Sequence, residues 1–232
     1  MKEIKFIVKT LSNLMIGGNE SGFVIGGIDQ HTVKDHNGHP YIPGSSFKGV
    51  FRKVIREGSN EKINQIFTEY VGKLVEEAEE ATKNPNININ LEEFKKRIKE
   101  GIESDSEYMF GINGYNQSPK LMFSDLYLTE ESIVAGNHFS IDAKNSIDNV
   151  TLEANPRTYK VARRDLVFVG TIRFRNFEKL KDKQSDVQKY VKDQLKTAFK
   201  DGFYRLGNSK SRGYGYIEVN VVEIDGKKVG GS

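Results

Sequence analysis

Alternation of hydrophobic and polar residues predicts strands near both ends of the chain. Residues 2–11, 165–175 and 216–224 alternate along their length, and residues 120–128 have a weaker β character. Successive side chains of a strand point to opposite faces, so each of these segments offers one apolar face to a core.

Hydrophobic residues spaced three and four apart predict helices between these strands. One helix begins near Ser45 or Ser46, either of which is a suitable N-cap, and ends before Gly58. A second covers about residues 187–198 and ends before Gly202. The order strand, helix, strand, strand, helix, strand is the split βαβ pattern, so the sequence predicts an α+β, ferredoxin-like (RRM-like) fold.

Two stretches interrupt this pattern. Residues 58–107 contain two more segments with helical spacing, joined by an Asn-rich stretch, and form a helical insertion. Residues 129–164 have weak periodicity and many Asn, Asp and Gly residues, which predicts an extended hairpin or arm. The rest of the chain divides into a ferredoxin-like core and a short tail. The core comprises residues 1–57, 108–128 and 165–225, and the tail comprises residues 226–232.

The composition is typical of a globular protein with one large or two small domains. The 232 residues are 37% hydrophobic and 29% charged, and none is Cys, which excludes disulfide frameworks, zinc ribbons and thiol catalysis. No apolar run approaches the roughly 18 residues that a membrane-spanning helix requires, and the N-terminus lacks a signal-peptide pattern. We therefore expect a cytoplasmic protein without a membrane partner. The net charge of +3 conceals an uneven distribution: residues 61–107 hold 12 acidic and seven basic residues, so a basic body bears an acidic insertion.

A turn of small residues precedes the first predicted helix. Residues 43–49 read Pro-Gly-Ser-Ser-Phe-Lys-Gly, and Lys48 and Arg52 lie four residues apart. Free backbone N–H groups, two hydroxyls and a basic face at a helix start can receive a phosphate. A capped helix with solvated charges explains the same residues, and the spacing does not match a Walker A loop.

A glycine-rich loop precedes the last predicted strand. Residues 206–216 read Leu-Gly-Asn-Ser-Lys-Ser-Arg-Gly-Tyr-Gly-Tyr. The glycines allow close approach of a backbone to phosphates, Lys210 and Arg212 supply positive charge, and Tyr214 or Tyr216 is available to stack on a base. A flexible loop without a ligand is the alternative interpretation.

These two motifs, with three others in the same order, resemble the RAMP superfamily of CRISPR proteins. The resemblance is to the Csm-type repeated backbone subunit of type III effector complexes, and it spans residues 4–222 apart from the insertion. The other motifs are Ile25-Gly26-Gly27-Ile28-Asp29 with Lys34-Asp35, Phe110-Gly111 with Leu121-Met122-Phe123-Ser124-Asp125, and Asn145-Ser146-Ile147-Asp148 with Glu153-Ala154-Asn155-Pro156-Arg157.

The resemblance implies a filament in which copies of the chain stack along a CRISPR guide RNA, together with other effector subunits. Residues 129–164 would be a thumb that kinks the duplex of guide and complementary target RNA, and the insertion would be a lid. In this family one Asp per subunit cleaves the target beside each kink. That residue here is Asp29, which implies Mg²⁺ or another divalent metal at Asp29, and His31 is placed to assist proton transfer.

The motifs also define a set of candidate RNA-binding residues. Some belong to the helix start and the glycine-rich loop, and others follow the cleaving loop or flank the thumb. The set is Lys34, Gly44, Ser45, Ser46, Lys48, Arg52, Asn155, Arg157, Arg163, Gly207, Ser209, Lys210, Ser211 and Arg212.

Two other functions fit parts of this pattern. In one, the chain is a non-catalytic RNA-binding scaffold of the same complex and Asp29 is inert. In the other, it is a nuclease that processes guide precursors and relies on His. His31, His36 and His39 lie within nine residues, but their spacing fits no helix face and no fourth ligand is evident, so a dedicated metal site there is disfavoured.

Overall fold

A computed structural model describes residues 2–18, 28, 30–58, 60–84, 90–147 and 154–229. The chain divides into two compact units. The larger unit comprises Ile4–Val50, Phe123–Thr171 and Leu195–Ser232, and the smaller comprises Met1–Glu3, Phe51–Met122 and Ile172–Gln194.

Groups of strands and helices follow one another along the chain. The strands are β1 (Glu3–Thr10), β2 (Gly17–Gly18), β3 (Gln30–Thr32), β4 (Lys120–Phe123), β5 (Tyr127–Leu128), β6 (Phe139–Ile147), β7 (Ala154–Ala162), β8 (Val167–Arg175), β9 (Ile217–Ile224) and β10 (Lys227–Lys228). The helices are α1 (Gly44–Glu57), α2 (Glu61–Thr82), α3 (Leu91–Lys99), α4 (Glu130–Ala135) and α5 (Gln184–Thr197). Short 3₁₀ segments cover Asp105–Phe110, Phe177–Lys183 and Lys210–Arg212.

The main sheet has the strand order β10-β9-β1-β8-β4, and β5 pairs with β8. Without β10 and β5, the sheet has four strands, which follow one another along the chain as β1, β4, β8 and β9. Their order across the sheet is β9-β1-β8-β4, which is the order 4-1-3-2. With α1 and α5 as the two connecting helices, this is the ferredoxin-like arrangement. The predicted α+β fold is confirmed.

An aromatic core holds this sheet to its helices within the larger unit. Ile4, Phe6 and Val8 on β1 are fully buried, as the alternation predicts. The ring of Phe47 on α1 lies 4.9 Å from that of Phe6 and 5.8 Å from that of Phe199, measured between centroids. Burial of each of these side chains contributes about 1.5–3 kcal/mol to the free energy of unfolding.

A second sheet in the larger unit has the order β2-β3-β7-β6. Strands β6 and β7 pair antiparallel from Phe139–Ala162 to Ile147–Ala154, which confirms the hairpin predicted in this region. Strand β3 runs parallel to β7. One face of the hairpin is buried, because Tyr159 and Val161 form a cluster with Met15 and Tyr214.

The smaller unit contains the two predicted insertion helices. Asn60 caps α2 by accepting a hydrogen bond from the Ile63 N–H at 3.0 Å, and Asn90 caps α3 by accepting one from the Glu93 N–H at 3.1 Å. Ile63 and Phe67 are buried at helical spacing. In the described part of the chain, no helix has the length and apolar character of a membrane span.

The start of α1 differs from the prediction. The helix begins at Gly44, and the Pro43 carbonyl accepts hydrogen bonds from the N–H groups of Ser46 and Phe47. Ser45 and Ser46 therefore lie inside the first turn and are not N-caps. The predicted end is correct, because the Gly58 N–H donates to the Val54 carbonyl at 2.9 Å.

The chain also continues in the sheet beyond β9. Asp225 and Gly226 have φ angles of 48° and 79°, which lets the backbone reverse in a tight turn, and β10 then pairs with β9. Residues 226–232 were predicted to be a tail, whereas Lys227 and Lys228 extend the main sheet.

Candidate nucleic-acid interface

The glycine loop, residues 205–216, is held against the connection that follows β1. The Asn208 N–H donates to the Met15 carbonyl at 2.7 Å, and the Gly215 N–H donates to the Asn13 carbonyl at 2.9 Å. Gly207 has φ +78°, and a Cβ there would lie 2.2 Å from the Met15 oxygen. Gly207 was predicted to contact phosphate, but its lack of a side chain is required by this close backbone approach.

The tip of the glycine loop is a short 3₁₀ segment, Lys210–Arg212, whose three side chains are exposed. Ser209 precedes it with φ 55°, and its carbonyl accepts a hydrogen bond from the Arg212 N–H at 2.9 Å. The backbone conformation therefore presents one hydroxyl and two cationic side chains together. Such a group suits contact with a polyanionic backbone.

The two tyrosines of the loop lie in different environments. Tyr214 is 4% exposed, which leaves no face for a base. The Arg205 guanidinium lies 3.8 Å from the ring centroid of Tyr216 and also donates to the Tyr216 hydroxyl. Stacking of Tyr214 on a base is therefore wrong, and Tyr216 is engaged by Arg205.

A polar network joins the glycine loop to the β6–β7 hairpin. Asp142 on β6 accepts hydrogen bonds from the Ser140 hydroxyl at 2.6 Å, the Tyr214 hydroxyl at 2.6 Å and the Asn13 amide at 3.0 Å. The Lys144 ammonium lies 4.4 Å from the Tyr214 ring centroid. The loop and the hairpin are thus tied by side chains as well as by the buried cluster.

Burial and hydrogen bonding shift the pKa of Asp142 in opposite directions. Burial raises the pKa of this carboxyl, but the hydrogen bonds from Ser140, Tyr214 and Asn13 and the charge of Lys144 outweigh burial and hold the pKa below its usual range. Asp142 is therefore a carboxylate at neutral pH. Burial and the same hydrogen bond raise the pKa of Tyr214, so its hydroxyl stays a donor.

The outward face of the small sheet carries a second basic surface. His31 pairs with Lys160 across β3 and β7, and Ile141 on β6 lies opposite Lys160, so these three residues share one face. Ile141 is 66% exposed. The ammonium groups of Lys34 and Lys160 lie 5.8 Å and 4.9 Å from the ring centroid of Phe139.

This outward face combines apolar and cationic groups in the way that nucleic-acid surfaces do. An exposed Ile and an aromatic ring can contact bases, and two lysines beside the ring can contact phosphates. Lys34 and His31 were named from the sequence. Phe139, Ile141 and Lys160 were missed, although the alternation within residues 139–141 and 158–162 marks them as one face.

Gly44 at the start of α1 is fixed by the chain itself. Its N–H donates to the Asp125 carboxylate at 2.7 Å, and a Cβ on Gly44 would lie 2.7 Å from the Ser124 carbonyl oxygen. The predicted phosphate position at Gly44 is therefore occupied by the carboxylate of Asp125, which also complements the helix dipole. Ser45 is exposed, and Ser46 and Lys48 are partly exposed.

Arg52 lies in the smaller unit and has an internal partner. Its Nε donates to the Glu107 carboxylate at 2.7 Å, and Arg56 donates to the same oxygen from Nε at 3.1 Å and from Nη2 at 3.0 Å. The Glu107 side chain is 0% exposed. Arg52 was predicted to bind RNA; the structure gives it the task of neutralising a buried carboxylate.

The basic residues near the hairpin occupy different positions. Arg157 is exposed on β7 opposite Lys144, and Asn155 pairs through its backbone with Ser146. Arg163 follows β7, and its Nη1 donates to the Asn137 carbonyl at 3.4 Å. Arg157 and Lys144 therefore form a cationic cross-strand pair near the glycine-loop tip, where Lys144 Nζ lies 3.5 Å from the Arg212 carbonyl oxygen.

The predicted cleaving residue, Asp29, lies outside the described residues. Its carboxylate is the type of hard oxygen ligand that Mg²⁺ prefers. Among the described residues, no group of three or more His, Asp or Glu side chains has metal-binding geometry. His39 instead contacts His138 with ring centroids 5.0 Å apart, and the Asp35 carboxylate accepts the His39 backbone N–H.

The ferredoxin-like sheet, the glycine loop before its last core strand and the cationic groups beside it define an RRM-like protein with a basic surface. The chain belongs to the RAMP superfamily, whose family model matches residues 7–218. It is 28% identical over 222 residues to the CRISPR system Cms endoribonuclease Csm3 of Streptococcus thermophilus. The matched region covers 93% of this chain and 86% of that protein.

Solved structures share the fold. A chain in a cryo-EM structure of the type III-B Cmr-beta complex bound to cognate target RNA superposes with a TM-score of 0.59 and 18% identity over 96% of this chain. This chain spans 60% of that one. A chain of the same complex in the apo state gives a TM-score of 0.52 and 11% identity, with 95% and 97% of the two chains covered.

Proposed function

We propose that this chain is a repeated backbone subunit of a type III CRISPR effector complex that binds guide RNA and cleaves complementary target RNA. The observation that carries the proposal is the similarity to an endoribonuclease over 93% of the chain, in a family whose model matches residues 7–218. The exposed cations of the glycine-loop tip and of the small sheet support RNA as the ligand.

Guide binding is assigned to the larger unit. Lys210, Ser211 and Arg212 contact the sugar–phosphate backbone, and Lys144 and Arg157 extend this contact along the hairpin. Gly44, Gly207 and Arg52 are left out of the contact set because the structure gives each an internal role. Copies of the chain and other effector subunits are the partners, in a filament along the guide.

Cleavage is assigned to Asp29, with His31 nearby in the sequence. The 2′-oxygen of the target attacks the adjacent phosphorus in line, its proton passes to a base, and the 5′-oxygen leaves with a proton from an acid. A carboxylate and an imidazole can serve these steps. A divalent metal such as Mg²⁺, bound by Asp29 and shared with the RNA phosphate, would stabilise the charge that develops on the phosphate oxygens.

The experiment that tests the assignment is cleavage of end-labelled target RNA by the guide-loaded complex. Products at one fixed interval, formed with Mg²⁺ and abolished by EDTA, are expected because each copy of the subunit cuts once. A single cut, or no cut with intact target binding, would contradict cleavage by this chain and favour the scaffold function. Processing of a repeat-containing precursor by the chain alone would favour the third function.

A further inference from the structure

A lysine-rich cleft lies in the smaller unit, and none of its lining residues has been given a role above. Its walls come from α2 and from the 3₁₀ segment Phe177–Lys183. We define the lysine cleft by five of its lining residues: Tyr70, Lys73, Lys179, Lys181 and Lys183.

The lysine cleft has an excess of positive charge. Four lysines line it, against the two carboxylates Glu69 and Asp182, and Asp182 lies 3.5 Å from the Lys183 ammonium. The insertion that supplies one wall has a net charge of −5 over residues 61–107. Lys73 comes from this insertion, and the other three lysines come from the 3₁₀ segment. Four like charges repel one another, so their presence in one cleft indicates an anionic ligand.

The side chain of Tyr70 lines the same cleft and carries a buried hydroxyl. The Tyr70 hydroxyl is buried and has no hydrogen-bond partner within the described ranges, 2–18, 28, 30–58, 60–84, 90–147 and 154–229. A buried polar group without a partner is costly, and native proteins satisfy nearly all such groups with protein, water or ligand. Burial, followed by the charges of Tyr115 and Glu77, raises the pKa of Tyr70, so the hydroxyl keeps its proton to donate.

The backbone is strained at Lys181, one of the lining residues of the cleft. Lys181 has φ 52° and ψ −125°, a conformation that residues with a side chain rarely adopt. It breaks the 3₁₀ segment while Leu180 beside it is buried. Strain of this kind persists where the surrounding structure enforces it, and it clusters at ligand sites.

We propose that the lysine cleft binds a phosphate group, with the Tyr70 hydroxyl donating to a phosphate oxygen and the lysines neutralising its charge. The four ammonium groups supply the positive field, and the hydroxyl supplies the directed hydrogen bond that exposed lysines lack. The phosphate belongs either to an RNA backbone or to a free polyphosphate.

Calorimetric titration of the full chain with inorganic pyrophosphate, and separately with a ten-nucleotide oligoribonucleotide, tests this proposal. The informative variant is Tyr70→Phe, because the hydroxyl makes no described hydrogen bond within the protein. The melting temperature of this variant without ligand should equal or exceed that of the wild type. Its affinity for the bound probe should fall about tenfold, since a hydrogen bond to a charged group is lost.

Charge variants provide the second arm. Lys181→Gln should weaken binding, and Lys83→Gln, at the end of α2 and paired with Glu80, should not. Weaker binding of the oligoribonucleotide by the cleft variants would assign the phosphate to RNA, and weaker binding of pyrophosphate alone would assign it to a free polyphosphate. Equal affinities of wild type and Tyr70→Phe for both probes, or binding of neither, would overturn the proposal. None of these results depends on target cleavage.

Discussion

At the scale of single residues, the buried carboxylate of Glu107 organises part of the smaller unit. It accepts hydrogen bonds from Arg52, Arg56 and the Glu103 N–H. Glu107→Ala should lower the free energy of unfolding by about 3 kcal/mol, because two guanidinium groups lose a shared partner. Glu103→Ala, at a side chain 65% exposed, should cost about 0.5 kcal/mol. Urea denaturation at pH 7 measures both, and equal costs would contradict this account.

The same carboxylate predicts a pH dependence. Burial raises the pKa of Glu107, but the Glu103 N–H and the two arginines outweigh burial and lower it. The unfolded chain therefore takes up this proton at a higher pH than the folded chain. The stabilisation is complete above about pH 4.3, the usual pKa of Glu, and is lost as the pH falls through the folded pKa.

The difference in the free energy of unfolding between wild type and Glu107→Gln, called the stability gap below, should accordingly be constant from pH 7 to pH 5. It should shrink below about pH 4. Subtracting the variant removes the contribution of the other carboxyl groups. Unfolding midpoints in urea across this range are the measurement. A gap that stays constant down to pH 3 would show that folding does not shift the pKa of Glu107, and it would contradict this account.

Residue roles were the least predictable from sequence. Arg52 was assigned to RNA because a helix start with basic residues suits phosphate, but its partner Glu107 lies 55 positions away. Tyr214 was one of two tyrosines offered for base stacking, and its partner Asp142 lies 72 positions away. Local patterns do not show such long-range pairs, so the sequence identified the chemistry of these side chains but not their partners.

At the scale of elements, the glycine loop depends on close backbone packing at one glycine and not at another. Gly207 and Gly213 have φ of +78° and +90°, but a Cβ would lie 2.2 Å from the Met15 oxygen at Gly207 and meets nothing within 4 Å at Gly213. Gly213→Ala should cost about 1–2 kcal/mol from backbone strain alone. Gly207→Ala should cost clearly more and weaken RNA binding.

Thermal unfolding and RNA affinity of the two alanine variants check this prediction. Because both glycines have positive φ, the difference between the variants isolates the steric clash with Met15. Equal loss of stability in both would show that the loop does not pack on the Met15 carbonyl as described.

Most elements were predictable because their side-chain periodicity matches a single buried face. The α1 stripe, the β8 alternation and the two insertion helices are all present. Helix α4 was missed, although Thr129 as N-cap, Glu130 and Glu131 in the first turn and Gly136 at the end are standard helix signals. Helix α4 has only six residues, too few to show a periodic pattern. The turn at Asp225 and Gly226 before β10 was also missed, because it too is a short local signal.

At the scale of the whole molecule, the fold class was predictable from the order of elements, and the family from five motifs in order. Net charge alone was uninformative, because the acidic insertion offsets the basic remainder. The position of the basic groups on the glycine-loop tip and the small sheet depends on strand register, which the sequence does not specify directly.

RNA binding should depend strongly on salt. Replacing Lys210 and Arg212 together by Gln should reduce the slope of log affinity against log salt by about 1.4, because two single-strand phosphate contacts are lost. The pair Lys83→Gln and Lys95→Gln in the acidic insertion should leave the slope unchanged. Filter binding of guide RNA between 50 and about 300 mM salt measures this, and an unchanged slope for the loop-tip variant would exclude the loop tip from the interface.

The central claim is that this chain cuts target RNA through Asp29. Its most direct test compares guide-loaded complexes containing wild-type chain, Asp29→Ala or the control Asp201→Ala, at an exposed side chain outside every proposed site. All three should bind guide and target RNA equally. Wild type and Asp201→Ala should cut target RNA at regular intervals, and Asp29→Ala should not. Cutting by the Asp29→Ala complex at the wild-type rate would contradict the claim.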